Sequence, residues 1–331
     1  MAAEKKKGVI LTGHRPTGPR HIGHLVGTLE NWARLQDDYT CYFLIADLHV
    51  LTTDFAHPER IQRNIESVVT DWLASGLDPE RSIFVRQSAL MEHAQLATLF
   101  GMLTTVSRLE RVPTYKEQVQ ELKLKPTAGL LTYPVLQSAD ILIYKADTVP
   151  VGEDQLPHIE LTREIARRFN NTYGDTFPEA EGLLSKSARL PGVDNRTMHA
   201  SYGNTIRLED SPDETTKKIM SMYTDPNRIH ATDPGTVEGN PVFEYHDVFN
   251  PNTDEVEDFK TRYRAGKVGD VDVKRRLAEA LNEYLAPMRE RREQYLKDPK
   301  KVMSILDQGT QAARPVVQAT LKEVQEKMGL V

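Results

Sequence analysis

The stretch Thr12-Gly13-His14-Arg15-Pro16-Thr17-Gly18-Pro19-Arg20-His21-Ile22-Gly23-His24 constrains this chain more than any other. The apolar run Gly8-Val9-Ile10-Leu11 before it reads as a buried parallel strand. After it, Leu25, Leu29, Trp32, Ala33 and Leu35 recur at mixed three- and four-residue spacing, which predicts a helix from His24 to Gln36. A strand, a Gly/Pro-rich turn and a helix start aim free N–H groups and a positive helix end at one point. That arrangement suits a phosphate. The stretch holds neither a G-x-x-x-x-G-K-[ST] loop nor a dinucleotide fingerprint. What sets it apart is His21 and His24, one helical turn apart on the face nearest the anion site. Imidazole can be charged or neutral near pH 7.

The rest of the first half repeats the α/β alternation. Cys41 to Leu51 reads as a second strand, apolar up to Ala46 and then polar at Asp47 and His49, where open α/β sheets bind ligands. A helix is predicted from His57-Pro58 to Gly76, a third strand over Ser82–Gln87 and a long helix over Met91–Leu109. Residues 112–125 read as a charged surface excursion, and an apolar run interrupted by Asp140 follows over Ala128–Tyr144. Thr148–Val151 is a fourth strand that enters Gly152-Glu153-Asp154-Gln155 and a helix to Asn170. Gly174 to Asp213 is loop-like. Beyond it helices are expected over Glu214–Tyr223, Glu257–Ala265, Asp270–Lys297 and Pro299–Leu330. The fold class is α/β, a doubly wound parallel sheet of Rossmann type, with an all-α C-terminal domain. The divisions are 1–190, with a helical excursion near 110–145, then a loop at 191–210, then a helical domain at 211–331 whose last helix packs back on the first.

Bulk properties narrow the class. With 331 residues, 39% hydrophobic and 27% charged, this is an ordinary globular composition. No apolar run approaches the ~20 residues of a membrane span. Met1-Ala2-Ala3-Glu4-Lys5-Lys6-Lys7 lacks the apolar core of a signal peptide. The lone Cys41 excludes an intramolecular disulfide and a Cys-based zinc site. These features fit a cytoplasmic enzyme. A net charge of −6 argues against a generally basic nucleic-acid binder, although a local basic patch suffices for RNA. The runs Lys274-Arg275-Arg276, Arg289-Glu290-Arg291-Arg292 and Lys300-Lys301 are candidates for one.

His21-Ile22-Gly23-His24 resembles the HIGH signature of the class I aminoacyl-tRNA synthetases, and the frame P-T-G-x-x-H-I-G-H resembles their tryptophanyl and tyrosyl branch. Three further segments resemble the bacterial tryptophanyl branch: Leu44 to Thr52, Gly129 to Tyr144, and Val149 to Arg163. The likeness covers about residues 8–208 and continues weakly through Leu306 to Arg314.

That resemblance implies ATP, Mg²⁺ bound with it, L-tryptophan and tRNA(Trp) as partners, and a homodimer. An indole offers one polar handle, its N–H. Asp140, set among Leu, Ile and Ala, is the expected acceptor, since a carboxylate in an apolar run is costly unless used. By the family pattern Tyr133 and Gln155 hold the amino acid's charged ends, and Leu11, Ala46 and His49 line the indole pocket. Gln137 stands where the family usually has Met. For ATP, the pattern implies Arg15, Pro16, Thr17, Gly23 and His24, with His21 toward the phosphates. It adds Gly152, Glu153 and Asp154 at the ribose and adenine edge and Arg189 and Leu190 at adenine. Within this set, Arg15, His21 and His24 are the expected catalytic groups, joined by Met198, His199 and Ser201.

One segment departs from the pattern. The family's mobile K-M-S-K-S loop corresponds to Thr197-Met198-His199-Ala200-Ser201, which has neither lysine. Leu184-Ser185-Lys186-Ser187 imitates the signature with the wrong flanks. A slow enzyme is expected, with Arg196 or His199 as partial substitutes for the lost cations. The alternatives are a tyrosyl enzyme, a generic nucleotidyltransferase, and a paralogue outside translation that binds tryptophan or an adenylate with a protein partner.

Overall fold

The structure is a computed structural model that describes residues 6–122, 126–184, 190–198, 202–228, 230 and 232–331, without the side chains of 118, 121 and 122. The strands are β1 (Val9–His14), β2 (Thr40–Ile45), β3 (Ile83–Arg86), β4 (Thr148–Val151) and β5 (Glu181–Leu184). All pair in parallel, in the order β3-β2-β1-β4-β5. Chain direction across the sheet therefore reverses between β1 and β4. In open α/β sheets this switch point opens a crevice at the carboxyl ends of the strands.

The helices of the first half are α1 (Glu30–Asp38), α2 (Asp47–Asp54), α3 (Ile61–Ala74), α4 (Glu92–Gly101), α5 (Pro113–Leu122), α6 (Ala128–Ile143) and α7 (Leu156–Tyr173). Those of the second half are α8 (Pro212–Met220), α9 (Pro241–Phe249), α10 (Thr253–Arg264), α11 (Asp270–Leu296) and α12 (Pro299–Lys327).

Strand periodicity divides the core. Cys41, Phe43 and Ile45 of β2 join a cluster with Trp32, Trp72 and Phe84, while Tyr42 and Leu44 join Val85, Phe100, Ile141 and Phe169 on the other face. The first cluster runs on into the helical half through Phe243, Tyr263, Leu277 and Leu281. Helix α12 links both clusters, with Val302 and Leu306 in the first and Ala313, Val317 and Val324 in the second. It crosses β3 at Gly309, where a Cβ would stand 2.2 Å from the Phe84 carbonyl oxygen. Beside it, Thr310 Oγ1 accepts the Arg86 N–H at 3.0 Å.

Several expected elements differ. The second strand stops at Ile45, and Asp47–Asp54 is helical. Its parallel partner ends at Arg86, so no ladder continues past Ile45. Asp47 then accepts from Ser88 N–H and Arg86 Nε, which anchors the helix start. The helix expected over 91–109 breaks after Gly101 and resumes as the turn Val106–Leu109; Thr104 Oγ1 caps the Phe100 carbonyl. Strand β5 lies inside the segment read as loop, its exposed edge sequence Glu181-Gly182-Leu183-Leu184 carrying no alternation. Helix α9 was also missed, because it is buried on most sides and shows little periodicity; Asn240 caps it by accepting Val242 N–H. The decoy residues 185–187 lie outside the described residues.

Most cations of the first two basic runs of the second half are internal ties, while Lys300 and Lys301 are exposed. Lys274 is 5% exposed and donates to the Met222 carbonyl at 2.6 Å. Arg276 pairs with Glu255, Arg289 donates to Thr215 and Asn282, and Arg291 donates to the Ala74 carbonyl. Arg292 reaches Asp71 of α3 at 2.8 Å. These cations are not a free phosphate-binding face. Among the described residues, no helix is long and apolar enough to cross a membrane.

Asp71 is fully buried, and burial pushes its carboxyl up even with Arg292 beside it. Arg292→Leu would strand that group and cost about 3–5 kcal/mol of stability. Denaturant titration checks this. The double variant Asp71→Asn/Arg292→Leu should recover part of the loss, and a single-variant loss under about 1 kcal/mol contradicts the assignment.

Candidate active site

A cavity of about 910 Å³ opens at the β1/β4 switch point. Its lining divides into a buried carboxylate end and a cationic turn.

At the carboxylate end stands Asp140 of α6, 2% exposed. His49 Nε2 lies 2.8 Å from Oδ2 and His93 Nδ1 lies 2.7 Å from Oδ1. The Gln87 side-chain amide donates to both oxygens, at 2.8 and 2.9 Å. Gln87 Oε1 accepts Leu48 N–H at 3.0 Å, which fixes the amide's orientation. Tyr144 O–H meets His93 Nε2 at 3.0 Å; burial first, then Asp140's charge, pushes the phenol well up, so it stays protonated and donates. Burial also pushes Asp140 up, but hydrogen bonds from His49 and His93 outweigh it, and the carboxyl titrates below its ordinary range. Asp140 is thus an anion with three donors. His49 and His93 each take one position on one oxygen, and the Gln87 amide is shared between the two oxygens, so a donor arriving through the cavity would take over one of Gln87's two shared bonds.

The wall beside it carries Tyr133, whose hydroxyl meets Thr114 Oγ1 at 2.7 Å and His158 Nε2 at 3.0 Å. His158 is 2% exposed, and burial lowers its pKa to about 4. It is neutral at pH 7 and acts as a fixed polar post.

At the other end the chain leaves β1 and turns through residues 15–20. His14 Nδ1 accepts the Trp72 indole N–H at 3.0 Å. Its proton therefore sits on Nε2, 3.3 Å from Thr28 Oγ1, and Thr28 donates to the His24 carbonyl at 2.7 Å. Burial, reinforced by the Arg20 charge, holds both His14 and His24 well below the ordinary histidine pKa. His21 N–H donates to His24 Nδ1 at 3.3 Å, and the two rings lie 3.8 Å apart. The predicted helix begins as Ile22–His24, widens into a π-turn over Leu25–Leu29 and regains α geometry at Glu30. Single π-turns occur often at functional sites. A Cβ on Gly23 would stand 3.0 Å from the His21 ring and 3.1 Å from Met198 Sδ, so glycine lets the later loop lie on the turn.

Comparison with known proteins decides the family. The family model of the class I tRNA synthetases (W and Y) matches residues 3–286. A tryptophan–tRNA ligase of Treponema pallidum (strain Nichols) is 48% identical over 97% of this chain and 96% of its own. One from Thermotoga maritima is 48% identical over 97% and 99%. The crystal structure of tryptophanyl-tRNA synthetase from Campylobacter jejuni complexed with ADP and tryptophan superposes with a TM-score of 0.88, at 32% identity, covering 97% of this chain and 100% of that one.

The chain belongs to the class I W and Y tRNA synthetases. It is an aminoacyl-tRNA ligase of the bacterial tryptophanyl branch. The tyrosyl alternative is not favoured: a tyrosyl-tRNA synthetase from Archaeoglobus fulgidus, at 23% identity and TM-score 0.68, shares only the fold.

Of the residues expected from the sequence, the cavity is lined by Leu11, Arg15, Thr17, His21, Gly23, His24, Ala46, His49, Tyr133, Gln137, Asp140, Gly152, Glu153, Asp154, Gln155, Leu190, Thr197 and Met198. Pro16 is buried under the turn and does not line it. Arg189, His199, Ala200 and Ser201 lie outside the described residues. Arg196 does not line the cavity; its guanidinium sits 2.5 Å from Asp194 Oδ2 and over the Tyr202 ring, so it is a poor substitute for a loop lysine. The sequence reading missed Gln87, His93, His158, Thr114, His14 and Arg20. Gln87 follows the end of β3, the same strand-end signal that drew attention to Asp47 and His49, and His158 lies inside a segment already singled out. Asp47 itself is structural, tied to Arg86 and Ser88.

Because His14, His24 and His158 stay neutral when buried, the unfolded chain takes up protons first as pH falls. Stability should therefore drop between about pH 6.5 and about pH 4, the His158 value. Denaturation midpoints at stepped pH check this: His158→Gln should flatten the slope, and an unchanged midpoint from pH 7 to pH 5 contradicts it.

Proposed function

We propose that the cavity activates L-tryptophan with ATP and passes it to tRNA(Trp). The observation that carries this is Asp140, an ionised carboxylate lining the buried end of the cavity, with His49 and His93 on one oxygen each and the Gln87 amide shared between the two. An indole N–H takes over one of the two bonds that Gln87 shares, and the apolar walls from Leu11, Ala46 and Ile141 fit the rings. A ligand without the N–H leaves a buried acceptor unfilled, the efficient route to discrimination. Tyr133 and Gln155 face the amino acid's charged ends, and Gln137 adds a polar wall. ATP lies along the turn, with Arg15 and Thr17 along the nucleotide, His21 toward its phosphates, and Gly23, His24, Gly152, Glu153, Asp154 and Leu190 toward the nucleoside.

The tryptophan carboxylate attacks the α-phosphorus, the bond to the β-phosphate oxygen breaks, and pyrophosphate leaves. The terminal ribose hydroxyl of the tRNA then attacks the adenylate carbonyl and releases AMP. Positioning and electrostatics account for the acceleration, since no protein nucleophile is needed. Mg²⁺ arrives on the nucleotide and screens its charge. Among the described residues, no group of three or more His, Cys, Asp or Glu is arranged to hold a metal ion.

Residues 1–190 form the catalytic unit, 191–210 the loop with the missing lysines, and 211–331 the part that reads the anticodon. The working unit is a cytoplasmic homodimer. Losing both lysines removes charge where pyrophosphate develops, so Thr197, Met198, His199, Ala200 and Ser201 make a weaker loop and the enzyme is slow. Each lost donor of this kind costs about a hundredfold or more.

Pyrophosphate exchange and tRNA charging test the proposal. Tryptophan, not tyrosine, should drive exchange, and Asp140→Ala should lower kcat/KM for tryptophan by about a hundredfold or more. Exchange with tyrosine points to the sister enzyme, and exchange with no amino acid points to a nucleotidyltransferase. Tryptophan binding without tRNA charging points to a paralogue outside translation.

A further inference from the structure

Among the described residues that line the cavity, the permanent cations are Arg15 and Arg20. The segment 197–201 contributes no lysine or arginine. A leaving pyrophosphate must nevertheless be neutralised within this cavity.

Arg20 is 4% exposed. Its Nη2 donates to the carbonyls of Gly18 at 2.6 Å and Arg15 at 3.3 Å. Nη1 stands 3.5 Å from His24 Nε2. Its Nε is buried with no hydrogen-bond partner. The nearby acid, Asp71, does not pair with the guanidinium; its oxygens take the Arg20 backbone N–H at 3.2 Å and Arg292 Nε at 2.8 Å. Burial lowers the Arg20 pKa to about 10, so it remains a cation at neutral pH. A buried guanidinium with an idle N–H and no acid partner is costly unless an anion joins it. The frame around the two signature histidines leaves position 20 open, so this charge belongs to the chain rather than to the shared motif.

We infer that Arg20 is a catalytic residue that binds the β- and γ-phosphates of ATP and neutralises pyrophosphate as it leaves, the work that a cationic 197–201 loop would otherwise do. Its two carbonyl bonds through Nη2 hold the guanidinium against the turn, and Nε and Nη1 are the nitrogens left for the anion. The inference rests on the ATP-activating reading of the cavity.

The test uses the full chain, with inorganic pyrophosphate as the binding probe and tryptophan-dependent exchange as the rate. Arg20→Gln should weaken pyrophosphate binding about tenfold and lower the exchange rate about a hundredfold, while tryptophan affinity shifts by under about threefold. Arg20→Lys keeps the charge but loses the two-carbonyl grip, and should stay within about fivefold of the parent in pyrophosphate affinity. Lysines introduced by Thr197→Lys and Ala200→Lys should raise the rate in both backgrounds, but by a factor at least about tenfold larger in Arg20→Gln than in the parent. Arg20 is only a staple of the turn if Arg20→Lys loses as much pyrophosphate affinity as Arg20→Gln, or if the lysines act by the same factor in both backgrounds. Unchanged pyrophosphate affinity in Arg20→Gln also overturns the inference. If no tryptophan-dependent exchange occurs in the parent while Arg20→Gln still weakens pyrophosphate binding, the tryptophan reading falls and the anion role of Arg20 stands.

Discussion

A single buried carboxylate sets the terms for this fold. An ion at the position of Asp140 is affordable only when donors surround it. Those donors come from separate elements: His49 from α2, Gln87 from the turn after β3, and His93 from α4. The short second strand, the helix that replaces its expected continuation and the early stop of β3 are what bring these groups to α6. Tyr144 and Leu48 extend the network outward to a phenol and a backbone amide. Such networks specify one arrangement when every member is satisfied. Here the network closes on the cavity wall, with the Gln87 amide spread over both Asp140 oxygens.

The opposite end of the cavity is organised by charge rather than by shape. The turn after β1 buries Arg20 beside histidines that burial keeps neutral. Its backbone is tied through Asp71 to Arg292, so a helix of the second half is in contact, by two links, with the turn after β1. The continuous core and the crossing of α12 over β3 strengthen that tie.

Much of this was legible in the sequence. The first strand, the signature turn, the fourth strand and the long C-terminal helices depend on local patterns of apolar spacing and glycine. Asp140 was visible because a carboxylate inside Ala139-Asp140-Ile141-Leu142 violates local hydrophobicity. The misses have a common physical origin in tertiary context. Strand β5 is an edge strand whose pairing with β4, rather than its composition, makes it a strand. The break after Gly101 and the helix at Asp47 depend on where neighbouring strands end. Gln87, His93 and His158 could not be recognised alone, because their roles exist only through partners 25 to 53 residues away in sequence. The basic runs misled for the converse reason: Arg289, Arg291 and Arg292 look like a solvated or RNA-facing stripe until their partners on α3 and α8 are seen.

The most direct measurement compares the binding of tryptophan with that of its isostere in which sulfur replaces the indole N–H. Calorimetry on the parent should give a preference for tryptophan of about a hundredfold or more, shrinking to within about threefold in Asp140→Ala. Equal affinity of the parent for the two ligands would contradict the account, because Asp140 would then not be the group that recognises the indole N–H.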